Sequence, residues 1–140
     1  MRTWKAAGAR AVRASVLVAL VAPLWGPRWQ VNHGEVFASD TREVAVRPGQ
    51  VFSLHWELAV DPGRYHRPVA PRPDPGVAVL TGVDEVPGDP DLLGDGGELY
   101  LVFRAEGRGT TELTVDNCRE PCGGSADGFR ERRTYRIVVR

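Results

Sequence analysis

Apolar and polar side chains alternate strictly from Val51 to Val60 (VFSLHWELAV), with Phe52, Leu54, Trp56 and Leu58 on one face and Ser53, His55 and Glu57 on the other. Successive side chains of an extended backbone point to opposite sides, so a period of two predicts a strand with one face buried. The same pattern predicts strands at Leu99–Ala105 (LYLVFRA), at Thr111–Val115 and at Thr134–Val139 (TYRIVV), where Tyr135, Ile137 and Val139 share a face. Thr41–Val46 (TREVAV) reads as a strand paired with Val51–Val60 through the turn signal Pro48-Gly49. Val77–Val83 (VAVLTGV) is β-branched and apolar and reads as another. Pro62, Pro68, Pro71, Pro73 and Pro75 remove backbone donors and fix φ, which predicts an irregular or extended connection between Tyr65 and Gly76 in place of a core strand. Asp84 to Gly97 reads as a polar loop. No ten-residue window after position 40 has a helical period, and there is no internal repeat. About seven short strands over roughly a hundred residues predict an all-β fold, an immunoglobulin-like antiparallel β-sandwich.

Before position 40 the pattern changes. Residues 1–13 are basic, and Ala14–Trp25 (ASVLVALVAPLW) is an uncharged apolar run, the layout of a secretory signal. A permanent membrane-spanning helix needs roughly 20 apolar residues, and Pro23 interrupts this shorter run; a buried helix is the plainer alternative. Val36-Phe37-Ala38 has residues suited to cleavage but lies far from the apolar run, so a cleaved leader and a retained signal anchor both stay open. Trp25 and Trp29 flank the end of the run, where interfacial tryptophans are frequent. Residues 1–39 are therefore assigned to a signal peptide or signal anchor with a short linker, and residues 40–140 to the folded domain. The expected location is secreted or cell-envelope, with membrane contact only through an uncleaved N-terminal segment.

Composition narrows the class. A chain of 140 residues holds one ordinary domain, and 42% hydrophobic with 26% charged residues fits a globular fold. The 16 glycines and 11 prolines favour many turns over long helices. Eighteen bases balance eighteen acids, so the basic excess that drives non-specific nucleic-acid binding is missing and no nucleic-acid partner is expected. That balance is uneven along the chain: Arg2, Lys5, Arg10, Arg13 and Arg28 face Glu35 alone in residues 1–39, which leaves 13 bases and 17 acids in the rest. Lys5 is the only lysine, and the preference for arginine with abundant Gly, Pro, Asp and Val suits a GC-rich bacterial genome.

Few residues point to chemistry. Cys118 and Cys122 are an even, closely spaced pair, which in an exported protein most simply forms a disulfide; two free thiols are the alternative, and a zinc site is less favoured because no second Cys/His pair lies at ligand spacing. So small a closed loop gains little stability, so its benefit is a stiffer loop. His33, His55 and His66 lack metal-ligand spacing, and Asp89, Asp91, Asp95 and Glu98 depart from the calcium-loop pattern, so they read as solvated loop acids. Arg130, Arg132 and Arg133 read as a solvated rim. The Gly94–Gly97 loop precedes a strand, whereas phosphate-binding loops open a helix. With no nucleophile–base pair, cofactor loop or metal cluster in the sequence, neither an enzyme nor a cofactor is expected.

Leu92-Leu93-Gly94-Asp95-Gly96-Gly97, followed by an apolar strand ending at Ala105 and a glycine-containing turn, resembles the chagasin family of cysteine-peptidase inhibitors. Gly49-Gln50-Val51-Phe52-Ser53-Leu54 resembles the family's Gly-Gln-x-Phe strand, and the resemblance covers roughly Thr41 to Arg140. It implies an immunoglobulin-like sandwich whose three loops gather at one end and enter the active-site cleft of a papain-like cysteine peptidase without covalent chemistry. Gly94, Gly96 and Gly97 match the second loop, with Asp95 among them, while Asp61, Pro62 and Gly63 match the first in part, continued by Arg64 and Tyr65. The two threonines of that loop are missing. Arg119 and Pro121 match the third loop, with Glu120 inserted between them and Cys122 at the place of an aromatic residue. The resemblance thus predicts a monomeric inhibitor whose partner is a papain-like peptidase. A non-inhibitory immunoglobulin-like binding or adhesion module of the envelope is the alternative.

Overall fold

Eight strands run along the chain: β1 (Glu35–Ala38), β2 (Glu43–Val46), β3 (Val51–Ala59), β4 (Arg64–Val69), β5 (Ala78–Val86), β6 (Asp95–Ala105), β7 (Gly109–Arg119) and β8 (Arg130–Val139). They form two four-stranded sheets, ordered β1-β3-β6-β5 and β2-β8-β7-β4. This computed structural model describes residues 30–60, 63–119, 122 and 130–140, the side chain of Arg130 excepted. Residues 1–29 of the expected leader or anchor, with the apolar run and Trp25 and Trp29, lie outside the described residues, as do Asp61, Pro62, Glu120 and Pro121. No helix among the described residues is long and apolar enough to cross a membrane.

The alternation read from the sequence decides which faces meet. Phe52, Leu54 and Trp56 of β3 and Leu99, Leu101 and Phe103 of β6 are buried against Val44 and Val46 of β2, Leu113 and Val115 of β7, and Tyr135, Ile137 and Val139 of β8. Phe52 stacks on Phe103 with centroids 5.4 Å apart within one sheet, and Trp56 meets Tyr135 edge-on at 6.1 Å across the two. Burying a side chain of the size of Phe52 or Leu101 stabilises the fold by about 1.5–3 kcal/mol, so these two interlocked faces hold the sandwich together. Ser53, on the face predicted to be polar, is also buried; it sits opposite Val102 in the β3–β6 register.

Four expectations are corrected. Thr41–Val46 does not pair with the following strand: β2 lies parallel to β8, with Val44 opposite Ile137, while β3 belongs to the other sheet. The Pro48-Gly49 turn carries the chain between sheets, because Gly49 donates its amide to the carbonyl of Ala105 and Arg140 donates to that of Val46. The sandwich is consequently not wholly antiparallel, since β1 is also parallel to β3. The proline-rich connection contains β4, which pairs with β7 with Pro68 opposite Val115. As an edge strand β4 has one free side, where a proline without an N–H is tolerated. Finally, the polar loop is shorter than Asp84–Gly97 at both ends, because β5 extends to Val86 and β6 starts at Asp95. Edge strands accept charge, and Asp84 and Glu85 sit on one, opposite Tyr100 and Leu99.

β1 falls within the residues assigned to the leader and linker. Its Phe37 packs edge-on to Phe52 at 6.4 Å, so the Val36-Phe37-Ala38 triplet forms an edge strand of the domain. Upstream of it, the His33 ring stacks on Tyr100 at 3.7 Å and its Nε2 lies 2.7 Å from Asp84 Oδ2, while His55 stacks on the same Tyr100 at 4.7 Å.

Candidate functional site

Strand register gathers the three candidate segments. Ala59, the last residue of β3, pairs with Asp95, the first of β6. Arg64 opens β4 opposite Arg119, which ends β7, and Cys118 pairs with Arg130, the start of β8. The flanks of the 60–63, 87–94 and 120–129 connections therefore lie at one end of the sandwich. The 47–50, 70–77 and 106–108 connections join the opposite ends of the same strands.

At the gathered end the 87–94 connection is tied down by its own acids. Asp95 accepts the Asp89 amide at 2.8 Å through one carboxylate oxygen and the Gly97 amide at 2.9 Å through the other. Asp89 in turn accepts the Asp91 amide through Oδ1 and the Leu92 amide through its carbonyl. Those two backbone donors hold the Asp95 carboxyl below the usual carboxylate range. Asp89 and Asp95, read as solvated, are thus the loop's internal scaffold, and among the described residues no group of three or more His, Cys, Asp or Glu is placed to hold a metal.

The glycines of this segment do different things. A Cβ on Gly96 would come within 2.6 Å of the Leu58 and Ala59 carbonyl oxygens, so this glycine allows β6 to approach β3. A Cβ on Gly97, at φ +89°, would overlap the Val86 carbonyl. Gly94, at φ +83°, has nothing within 4 Å of its Cβ position; it makes the turn and leaves open space. Gly96 and Gly97 therefore face neighbouring backbone, and the outward display falls to the residues before Gly94. Leu93 is 105% exposed, Leu92 60%, and Val60 on the 60–63 connection 65%. The sequence offered a signal for the two leucines, since they open the Leu-Leu-Gly motif, yet their exposure depends on Asp95 holding the tip away from the core.

Of the other candidate residues, Gly63 lies in the first connection at φ +83°. Arg64 and Tyr65 lie on β4 and Arg119 on β7, so they flank the tips without forming them. Tyr65 is half exposed. Cys118 and Cys122 form a disulfide with Cα atoms 5.5 Å apart, which ties the end of β7 to the residue four positions on. Beside Cys118, Asp116 is 1% exposed and takes a two-pronged hydrogen bond from Arg132, at 2.7 and 3.2 Å. Arg132 and Arg133 are therefore more than a solvated rim: Arg133 pairs with Glu131 and donates to the Ser39 carbonyl at 2.9 Å.

The chain is thus an all-β sandwich with hydrogen-bonded and disulfide-tied segments at one end. No family model matches the chain, and no curated protein matches it. Among solved structures it is similar to the cysteine protease inhibitor EhICP2 from Entamoeba histolytica, with a TM-score of 0.56 and 10% identity over 76% of this chain and 94% of that one. It is similar also to amebosin, with a TM-score of 0.55 and 16% identity over 76% of this chain and 98% of that one. At these identities the likeness is one of fold: the chain has the sandwich of a chagasin-like inhibitor.

Proposed function

We propose that this protein is an exported inhibitor of papain-like cysteine peptidases that inserts the connections at the gathered end of its sandwich into the active-site cleft. The observation that carries this reading is the rigid 87–94 tip, which presents Leu92 and Leu93 to solvent while Asp95 fixes its backbone. Exposed apolar side chains on a tethered loop suit a groove, because little conformational entropy is lost on docking and apolar area is removed from water. The fold shared with a cysteine protease inhibitor supports the choice of partner. Val60, Gly63 and Arg64 belong to the same gathered end, where Arg64 lies beside Arg119 and Tyr65 beside Cys118 of the disulfide. Noncovalent occlusion needs neither nucleophile nor cofactor, and the protein acts as a monomer. Export accounts for the basic head and apolar run at the N-terminus and for the disulfide.

The test is titration of several activated papain-like peptidases with the chain, after excess reductant has been removed so that the disulfide stays closed. Saturable inhibition of at least one enzyme is expected at or below micromolar concentration. Full activity of every enzyme at that concentration overturns the reading.

A further inference from the structure

Beside the 87–94 tip the surface sinks into an open bowl of about 620 Å³. Two kinds of side chain line it. Leu58, Val86, Pro87, Leu92 and Leu93 give it apolar walls, and Glu57, Asp95 and Glu98 bring carboxylates. Asp95 is committed to the amides of Asp89 and Gly97. Glu57 and Glu98 do no such work. They stand directly opposite each other in the β3–β6 register, and like charges in that position on neighbouring strands destabilise a sheet. Among the described residues that line the bowl, none is lysine or arginine to relieve the pair.

Among the described residues the Glu57 carboxylate has no hydrogen-bond or ion-pair partner. Glu98 accepts the Tyr100 hydroxyl through Oε2 at 2.9 Å, and its Oε1 lies 3.5 Å from His55 Nε2, beyond a normal N–H···O hydrogen bond. The arginines of this end belong to the other sheet. Arg132 and Arg133 are paired with Asp116 and Glu131. Arg64 sits beside His66, whose pKa is lowered by burial first and by the Arg64 charge second. The gathered end is therefore polarised, with carboxylates on the side of β3 and β6 and arginines on the side of β4, β7 and β8.

This lining selects its occupant. Two carboxylates brought together by adjacent strands suit a cation, and apolar walls suit one carried on an aliphatic stem. A guanidinium meets both conditions better than an ammonium: its fixed fork of donors can serve two carboxylates, and its weaker hydration makes it easier to seat against Val86, Pro87 and Leu92. A bare metal ion would find too few ligands, since calcium takes six or more oxygens. We infer, on the basis of the inhibitor reading, that the bowl receives an arginine side chain from the rim of the target peptidase's cleft, its stem against Val86, Pro87 and Leu92 and its guanidinium between Glu57 and Glu98. The acidic side of the wedge thereby fixes which wall of the cleft each sheet faces.

The test uses the full chain and the papain-like peptidase that it inhibits most tightly. Glu57→Gln with Glu98→Gln should weaken inhibition about tenfold. The urea midpoint of that variant should hold or rise, because the repulsion between the two carboxylates is gone. Glu57→Gln alone, which loses no contact with a described residue, should weaken inhibition about threefold and decides the matter if the double variant does not fold. Arginines at the rim of the peptidase cleft, outside its catalytic residues, are then replaced by glutamine one at a time. One replacement should weaken the unaltered chain about tenfold and the doubly substituted chain hardly at all, the coupling expected of a direct pair. Undiminished inhibition by the glutamine variants, or coupling to no arginine of the rim, overturns the inference and leaves the inhibitor reading standing. Failure of the unaltered chain to inhibit any such peptidase overturns both.

Discussion

The two ends of this sandwich are built from the same strands and solve different problems. Toward Val46, Phe103 and Val139 the inward side chains are aliphatic or aromatic and fully buried, and the 47–50 turn is bonded into both sheets through Ala105 and Arg140. Toward Ala59, Asp95 and Arg119 the inward positions become polar, a cleft opens, and the connections carry exposed leucines held by carboxylates and a disulfide. One end supplies the cohesion of the fold, and that cohesion allows the other to display apolar side chains on fixed backbone. On the proposed function, stability and recognition are separated along the strand axis, and substitutions at the two ends should divide in the same way.

The largest effect is expected in the cohesive end. Phe52→Ala removes a side chain that stacks on Phe103 and meets Phe37 edge-on, and should cost about 3–5 kcal/mol in denaturant unfolding. A smaller loss would mean that the core is not centred there. Gly96→Val places a branched side chain against the Leu58–Ala59 backbone and should cost about 1–3 kcal/mol, read as a lower urea midpoint. An unchanged midpoint would show that β6 does not approach β3 so closely. Replacing both Cys118 and Cys122 by alanine opens only a short loop, and should cost at most about 2 kcal/mol by the chain-entropy argument. Its effect on peptidase inhibition should be the greater one, since it loosens the 120–129 flank.

Leu93→Ala should leave stability within about 0.5 kcal/mol, because the side chain touches solvent alone, yet weaken inhibition by about 1 kcal/mol or more, near fivefold. The smallest effect is that of acid. Asp95 has its folded pKa held down by two backbone donors, so its contribution is complete above the ordinary carboxylate range and is lost as pH falls through the folded value. His66 is a base with a lowered folded pKa; the unfolded chain takes up its proton first, so stability falls as pH drops below the ordinary histidine range, about 6.5. Stability measured from neutral pH downward should therefore decline in two windows, with Asp95→Asn removing the lower and His66→Gln the upper.

How much of this was legible in the sequence follows from what local pattern encodes. Alternation placed Phe52, Leu54, Trp56, Tyr135, Ile137 and Val139 on inner faces, because period and burial are local properties. Pairing is not local. The Pro48-Gly49 turn looks the same whether it closes a hairpin or carries the chain to a second sheet, and the choice of β8 as partner for β2 is made about ninety residues away. β4 was hidden because a proline is read as a breaker, and only the strand order shows that Pro68 sits at an edge. In the candidate site, the resemblance carried by the Leu-Leu-Gly-Asp-Gly-Gly motif implied that this connection lies near the other two, as the register shows for their flanks, but it suggested that glycine backbone is displayed. The register assigns Gly96 and Gly97 to packing and leaves display to Leu92 and Leu93. That the polar residues Asn117, Glu131 and Arg133 share an inward face is visible only once β7 and β8 are set side by side, and Arg133 by itself read as a solvated rim.

The most direct test of the central claim is amide hydrogen exchange of the full chain, with its disulfide closed, alone and with an excess of a papain-like peptidase whose catalytic thiol is blocked by a small group. The account predicts slowed exchange confined to residues 60–64, 87–95 and 119–130, with the 47–50 and 106–108 connections unchanged. Protection centred on the 47–50 and 106–108 end, or no protection with any such peptidase, would contradict it.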